Sequence, residues 1–187
     1  MAGINRALKH VFDSVALESY AQNQNKPCIF LSHISVDKDA VREIGKYIRE
    51  NGDVDIYLDE NDRELQDAAR LGNPYRVTEF IEKGLSYSTH IMCLVSENTS
   101  SSWWVPYEIG FAKKSGKDIA SLMLKGAYLP DFLKICKILE GTKSLNNYIE
   151  NIGREYRLKR GFKVIHESLI QPSTPKHPLD DYLDWQK

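Results

Sequence analysis

Trp104 and Glu108 stand four residues apart in the stretch SSWWVPYEIGFAKKSGK (101–117), and both side chains have chemistry to offer. A carboxylate stabilises a developing cation, and an indole face stacks a planar or positively charged ring. Four-residue spacing puts both on one face of a helix. Pro106 is tolerated only in a first turn, where its missing N–H needs no partner, so that helix starts within a few residues of Trp103. Glu108 then feels two opposed effects. The helix N-terminus favours its ionised form, while an adjacent indole disfavours it by removing water. Tyr107 and Phe111 form a neighbouring stripe. Trp103 and Trp104 cannot both enter one core, so at least one is expected at the surface or in a cleft.

Other candidates follow apolar runs. Ser32 and His33 come directly after CIFLS (28–32), where a hydroxyl and an imidazole can hold a ribose or phosphate, or serve only as a cap and a polar loop residue. Asp59, Glu60 and Asp62 follow VDIYLD (54–59) without the acid spacing and glycine of a calcium loop. There is no GxGxxG, no GxxxxGK[ST], no GxSxG and no paired-histidine metal motif. No metal site is expected.

The elements that must position these residues are legible as alternating strands and helices. CIFLS reads as a buried strand, and 33–53 as a helix with Asn51-Gly52 at its C-terminus. VDIYLD reads as a second strand and ENDRELQDAARLGNP (60–74) as a long mobile loop with room for a helical turn. A helix over 75–84 stopped by Gly84, a central strand THIMCLVS (89–96), the tryptophan helix stopped by Gly116, and a strand DIASLML (118–124) follow. Residues 130–160 read as helix broken at Gly141 and Gly153, 162–170 as a short strand or helix, and the proline-rich end as a surface-wrapping tail. Residues 4–22 carry apolar positions at helical spacing ahead of a polar linker. Such alternation predicts an α/β domain with a mostly parallel sheet and helices on both faces. Ligands bind such sheets beyond the carboxyl ends of the strands, where the serine, the acids and the tryptophan pair fall.

Composition narrows the classes further. With 187 residues, 42% hydrophobic, the chain suits one ordinary domain. A net charge of -1 and a pI near 6.5 provide no basic field for nucleic acid or anionic lipid. Three separated cysteines, of which Cys28 and Cys93 lie in apolar runs, read as reduced thiols. The charged N-terminus and the lack of a long apolar run point to a cytoplasmic protein without a membrane span.

CIFLSHISVDKDAV, followed about 70 residues later by THIMCLVSENTSSSWWVPYEIGFAKKSGK, resembles the first box and the W-x-x-x-E helix of the TIR (Toll/interleukin-1 receptor) family in its bacterial stand-alone form. The resemblance implies a flavodoxin-like three-layer fold over 27–150; outside it lie an N-terminal helix and linker (1–26) and a C-terminal extension (151–187) that packs on or wraps the domain. The Arg-Asp-x-x-Pro-Gly second box of animal receptors is absent. The TIR component of Thoeris antiphage systems is similar. What the family implies is cleavage of NAD⁺ between nicotinamide and ribose, with Glu108 catalytic and Phe30, Ser32, His33, Asp59, Trp104 and Tyr107 holding substrate. NAD⁺ is then a substrate and no cofactor is needed. The resemblance also implies self-association on activation, an ADP-ribose-derived product (linear, cyclic or conjugated), an effector that senses it and a phage-derived trigger.

Two other readings compete. A TIR module can assemble partners without catalysis. A nucleoside deoxyribosyltransferase-like enzyme has a related layout and also uses a glutamate, on substrates without a diphosphate.

Overall fold

The computed structural model describes residues 2–11, 26–161 and 176–185. Five strands form one sheet: β1 (Cys28–Ser32), β2 (Asp55–Tyr57), β3 (His90–Val95), β4 (Asp118–Met123) and β5 (Lys137–Leu139). All four strand pairings are parallel, in the order β2-β1-β3-β4-β5. Parallel strands need a crossover, and helices supply it. They are α1 (Lys38–Asn51), α2 (Arg63–Arg70), α3 (Pro74–Ser86), α4 (Trp104–Lys114) and α5 (Thr142–Lys159).

Alternation within each strand builds two cores. Ile29 and Leu31 of β1, Met92 and Leu94 of β3, and Ala120 and Leu122 of β4 meet Val41, Ile44 and Ile48 of α1 and Leu145, Ile149 and Ile152 of α5. The intervening Cys28, Phe30, Ile91, Cys93 and Val95 face Leu65 and Ala68 of α2, Phe80, Ile81 and Leu85 of α3, and Val105, Ile109 and Ala112 of α4. Strands buried on both faces read as continuous apolar runs, which is why β1 and β3 stand out in the sequence. The chain therefore has a flavodoxin-like three-layer α/β architecture. Cys28 and Cys93 are buried free thiols. Among the described residues no helix is long and apolar enough to cross a membrane.

Several elements differ from the sequence reading. The stretch 60–74 is not a mobile loop but a 3-10 turn (Asp59–Asn61) followed by helix α2. Asp62 caps α2 by accepting from the Leu65 amide at 3.1 Å, and Leu65 and Ala68 anchor it in the core. Gly84 does not stop α3, which runs on to Ser86. A Cβ there would lie 2.5 Å from the Tyr57 ring, so the glycine serves close packing. Gly153 does not interrupt α5 either: a Cβ would meet the Gly52 carbonyl oxygen at 2.7 Å, so it lets α5 approach the end of α1. Residues 137–139 form the fifth strand rather than helix. Gly116, with φ +66, does follow the end of α4 as expected.

The two ends of the described chain also depart from expectation. Ile4 and Asn5 are extended, and Asn5 bridges Ile56 in parallel; a 3-10 helix (Arg6–Val11) follows instead of an α-helix from residue 4. The remainder of the expected helix, and the 162–170 element, lie outside the described residues. Of the two expectations for the C-terminal stretch, packing on the domain and wrapping its surface, residues 176–185 show the first: Leu179 and Leu183 are buried in the core cluster of α1 and α5.

Candidate active site

The order of the strands locates the site. The chain moves outward from β1 to β2, then returns to place β3 on β1's other side, so β1 and β3 flank the point where the winding reverses. Ser32 ends β1 beside Cys93 in register, and His33 leads away from it. After β3 the chain turns through a short 3-10 helix (Thr99–Ser101) into α4. Ser102 Oγ accepts from the Val105 amide at 3.2 Å, which helps start that helix.

Between these ends lies a cavity of about 350 Å³. Its wall includes His33 and Ser35 after β1, Asp59 after β2, Leu65 and Gln66 of α2, Val77 and Ile81 of α3, and Trp103, Trp104 and Glu108. The segment read as a loop thus supplies a helical wall.

Glu108 sits in the second turn of α4 and is only 4% exposed. Ser32 Oγ donates to its Oε2 at 2.5 Å. Burial pushes the Glu108 pKa up to about 8; the Asp59 charge adds to the rise and the Ser32 hydrogen bond opposes it. Of the two effects expected from sequence, loss of water outweighs the helix N-terminus, whose influence fades after the first turn. The Cys93 thiol is held protonated, chiefly by burial and then by the nearby Glu108 charge.

Asp59 is raised as well, by burial first, with His33 opposing. His33 donates from Nδ1 to the Leu31 carbonyl at 3.0 Å, which leaves Nε2 3.8 Å from Asp59 Oδ1. Two carboxylates and an imidazole therefore share the cavity, an arrangement that favours bound positive charge.

The other expected site residues fall in two places. Trp104, 40% exposed, lines the cavity and stands edge-on to Tyr107, while Trp103 is 91% exposed at the same mouth. Ser32 reaches the site through Glu108 rather than by lining the cavity. Phe30 is 1% exposed and stacked on Tyr57 at 5.5 Å, inside the core and off the cavity wall. Strand alternation explains this: Phe30 and Ser32 share a face, but Phe30 lies two residues further back along the strand, inside the core. Tyr107 donates to Glu82 and packs on Phe111, also off the cavity wall. Sequence reasoning missed Gln66, Val77 and Ile81, which reach the site only because α2 and α3 fold beside it.

A match to the TIR domain family spans residues 29–151, from β1 into α5. The chain belongs to the TIR family. No curated protein matches it. Within this TIR domain the matched span holds every cavity-lining residue, and the strand-end position of Ser32 and the helical position of Glu108 bring the two sequence boxes into contact.

Proposed function

We propose that this TIR domain cleaves NAD⁺ at the bond between nicotinamide and ribose. The observation that carries the reading is Glu108, a buried carboxylate on the wall of a cavity at the sheet's reversal point, oriented by Ser32. As the glycosidic bond breaks, positive charge builds on the ribose C1′ and O4′, as in glycoside cleavage. A carboxylate fixed beside that carbon stabilises the charge in a water-poor site without having to reorient. Nicotinamide leaves as a neutral base, so no general acid is required and one glutamate suffices. An empty site holds Glu108 largely protonated at neutral pH; a cationic ring entering the cavity draws out the ionised form. Trp104, on the wall, is the aromatic surface placed to stack that ring.

By resemblance, the ADP-ribosyl product, cyclic in our reading, serves as a signal in antiphage immunity of the Thoeris kind. It would be made after self-association in answer to a phage-derived trigger and sensed by an effector protein. The competing reading is a scaffold that assembles partners without catalysis. Chromatography of concentrated protein with NAD⁺, with and without infected-cell lysate, separates the two. Nicotinamide released by wild type and not by Glu108→Ala supports the enzyme, and the companion peak names the product. No release at concentrations that allow assembly favours the scaffold.

A further inference from the structure

The three acids after β2 are held in different ways. Glu60 receives Arg42 Nε and Nη2, each at 2.8 Å. Asp62 accepts from the Leu65 amide and the Tyr57 hydroxyl. Asp59 is left over: among the described residues its Oδ1 is buried without a hydrogen-bond partner. A buried oxygen of that kind costs stability, and such groups are kept where function uses them. The side chain is nevertheless 26% exposed and lines the cavity, which leaves Oδ2 as the oxygen facing the interior. His33 stands behind it. Its side chain is 3% exposed, its Nδ1–H is tied to the Leu31 carbonyl at 3.0 Å, and its Nε2 lies 3.8 Å from Oδ1. Positive charge on that ring favours the ionised form of Asp59, against the burial that disfavours it. The Asp59 charge in turn adds to the rise at Glu108, so in the empty site Glu108 keeps its proton and Asp59 ionises first.

Topology sets the two carboxyl groups apart. β2 and β3 pair with opposite edges of β1, so Asp59, after β2, and Glu108, on the helix after β3, reach the cavity from either side of the β1 end. Departure of nicotinamide needs only one of them. Capture of C1′ by an oxygen has a further demand, because that oxygen must lose a proton. We propose that Asp59 is the general base of the NAD⁺ reaction, a role that rests on the reading given above. The step balances without another reactant. The C1′–N1 bond breaks with its electron pair on nicotinamide, which departs neutral. A water or hydroxyl oxygen bonds C1′ through a lone pair, its O–H bond breaks, and the proton passes to Asp59 Oδ2 and then to solvent.

The ring nitrogen of nicotinamide has no proton to lose when it attacks C1′. Labelled nicotinamide therefore exchanges into NAD⁺ through the same bond cleavage with no need of a base, whereas net product needs one. Exchange and net product are measured side by side on concentrated protein with infected-cell lysate, for wild type, Asp59→Asn, Asp59→Ala and Glu108→Gln, with circular dichroism as the check on folding. The ratio of the two reactions does not depend on how much of a variant is folded. It is expected to rise at least about tenfold in both Asp59 variants, since a positioned base contributes about 10²–10⁴-fold. Glu108→Gln is expected to lose both reactions together. An unchanged ratio in the Asp59 variants, or loss of both reactions from folded Asp59 variants, overturns the proposal while wild-type turnover keeps the NAD⁺ reading. Neither exchange nor product from wild type overturns that reading as well.

Discussion

Ser32 Oγ, at the end of β1, donates a 2.5 Å hydrogen bond to Glu108 Oε2 on α4, across 76 residues of sequence. Both residues are buried, so the bond joins the strand that ends at the cavity to the helix that walls it. It also fixes one oxygen of a carboxylate on the cavity wall.

Glu108→Gln keeps the size and an acceptor for Ser32 but removes the charge. NAD⁺ cleavage is expected to fall about 10²–10³-fold in kcat, the range for losing one preorganised electrostatic stabiliser. Steady-state nicotinamide release measures it. A loss under about fivefold would remove Glu108 from the chemistry.

The same substitution has a stability signature whose sign follows from linkage. Glu108 has a folded pKa of about 8, above its unfolded value, so the folded protein holds the extra proton. Wild-type stability therefore falls as pH rises from about 4.5 through 8. Glu108→Gln lacks this slope and is expected to gain on wild type over that window, by on the order of 4 kcal/mol at its alkaline end. Urea unfolding at pH 5 and pH 8.5 compares them.

The pH dependence of kcat/KM reports the free protein. If the ionised carboxylate is the working form, the rate rises with pH through about 8. Asp59→Asn removes a charge that raises the Glu108 pKa, so the profile moves to lower pH. Ser32→Ala removes a bond that lowers it, so the profile moves to higher pH. Opposite displacements are the test; displacement in one direction by both variants would contradict the assigned causes.

Gly84→Ala places a methyl group 2.5 Å from the Tyr57 ring, with little room for a core aromatic to retreat. Overpacking of this kind costs about 1–3 kcal/mol. The expected result is a lower midpoint in urea, since Tyr57 also stacks on Phe30 and donates to the Asp62 cap.

Leu183→Ala probes the C-terminal stretch. Leu183 is fully buried against the α1–α5 core, so truncation is expected to cost about 2–5 kcal/mol. A change under about 0.5 kcal/mol in thermal or urea unfolding would show that this stretch does not belong to the folded core.

How much of this was legible beforehand depended on the period of the pattern. β1 and β3 are apolar on both faces and bounded by polar residues, so they read directly, and the Pro106 constraint placed the start of α4. Glu108 and Ser32 could be named as candidates, but nothing in their spacing showed that one donates to the other. Helix α2 was read as no more than a turn within a loop because it is only eight residues long and mostly polar, with Leu65 and Ala68 alone buried. β5 was missed because a three-residue strand offers too short a window to distinguish alternation from helix. Gly84 and Gly153 were misread as stops for a different reason: a glycine kept for close approach looks the same in sequence as one kept for a turn. Phe30 was placed at the site by its position in the first box, and the depth of a residue along a strand is a tertiary quantity that spacing does not contain.

The pairing of Ile4 and Asn5 with β2 governs how copies of this protein can join. The outward-facing amides of Ile56 and Leu58 are already taken, by the Ile4 carbonyl at 2.9 Å and the Asn5 side chain at 3.3 Å, and Gly3 is bonded to the Arg49 carbonyl at 2.7 Å. An exposed strand margin is a template on which a foreign strand can add. On the β2 side that template is filled from within the chain, so the sheet cannot be continued there from one molecule into the next without first displacing its own N-terminal segment. Any filament or dimer of this TIR domain that leaves that segment in place must be built through helical faces, loops or the opposite margin.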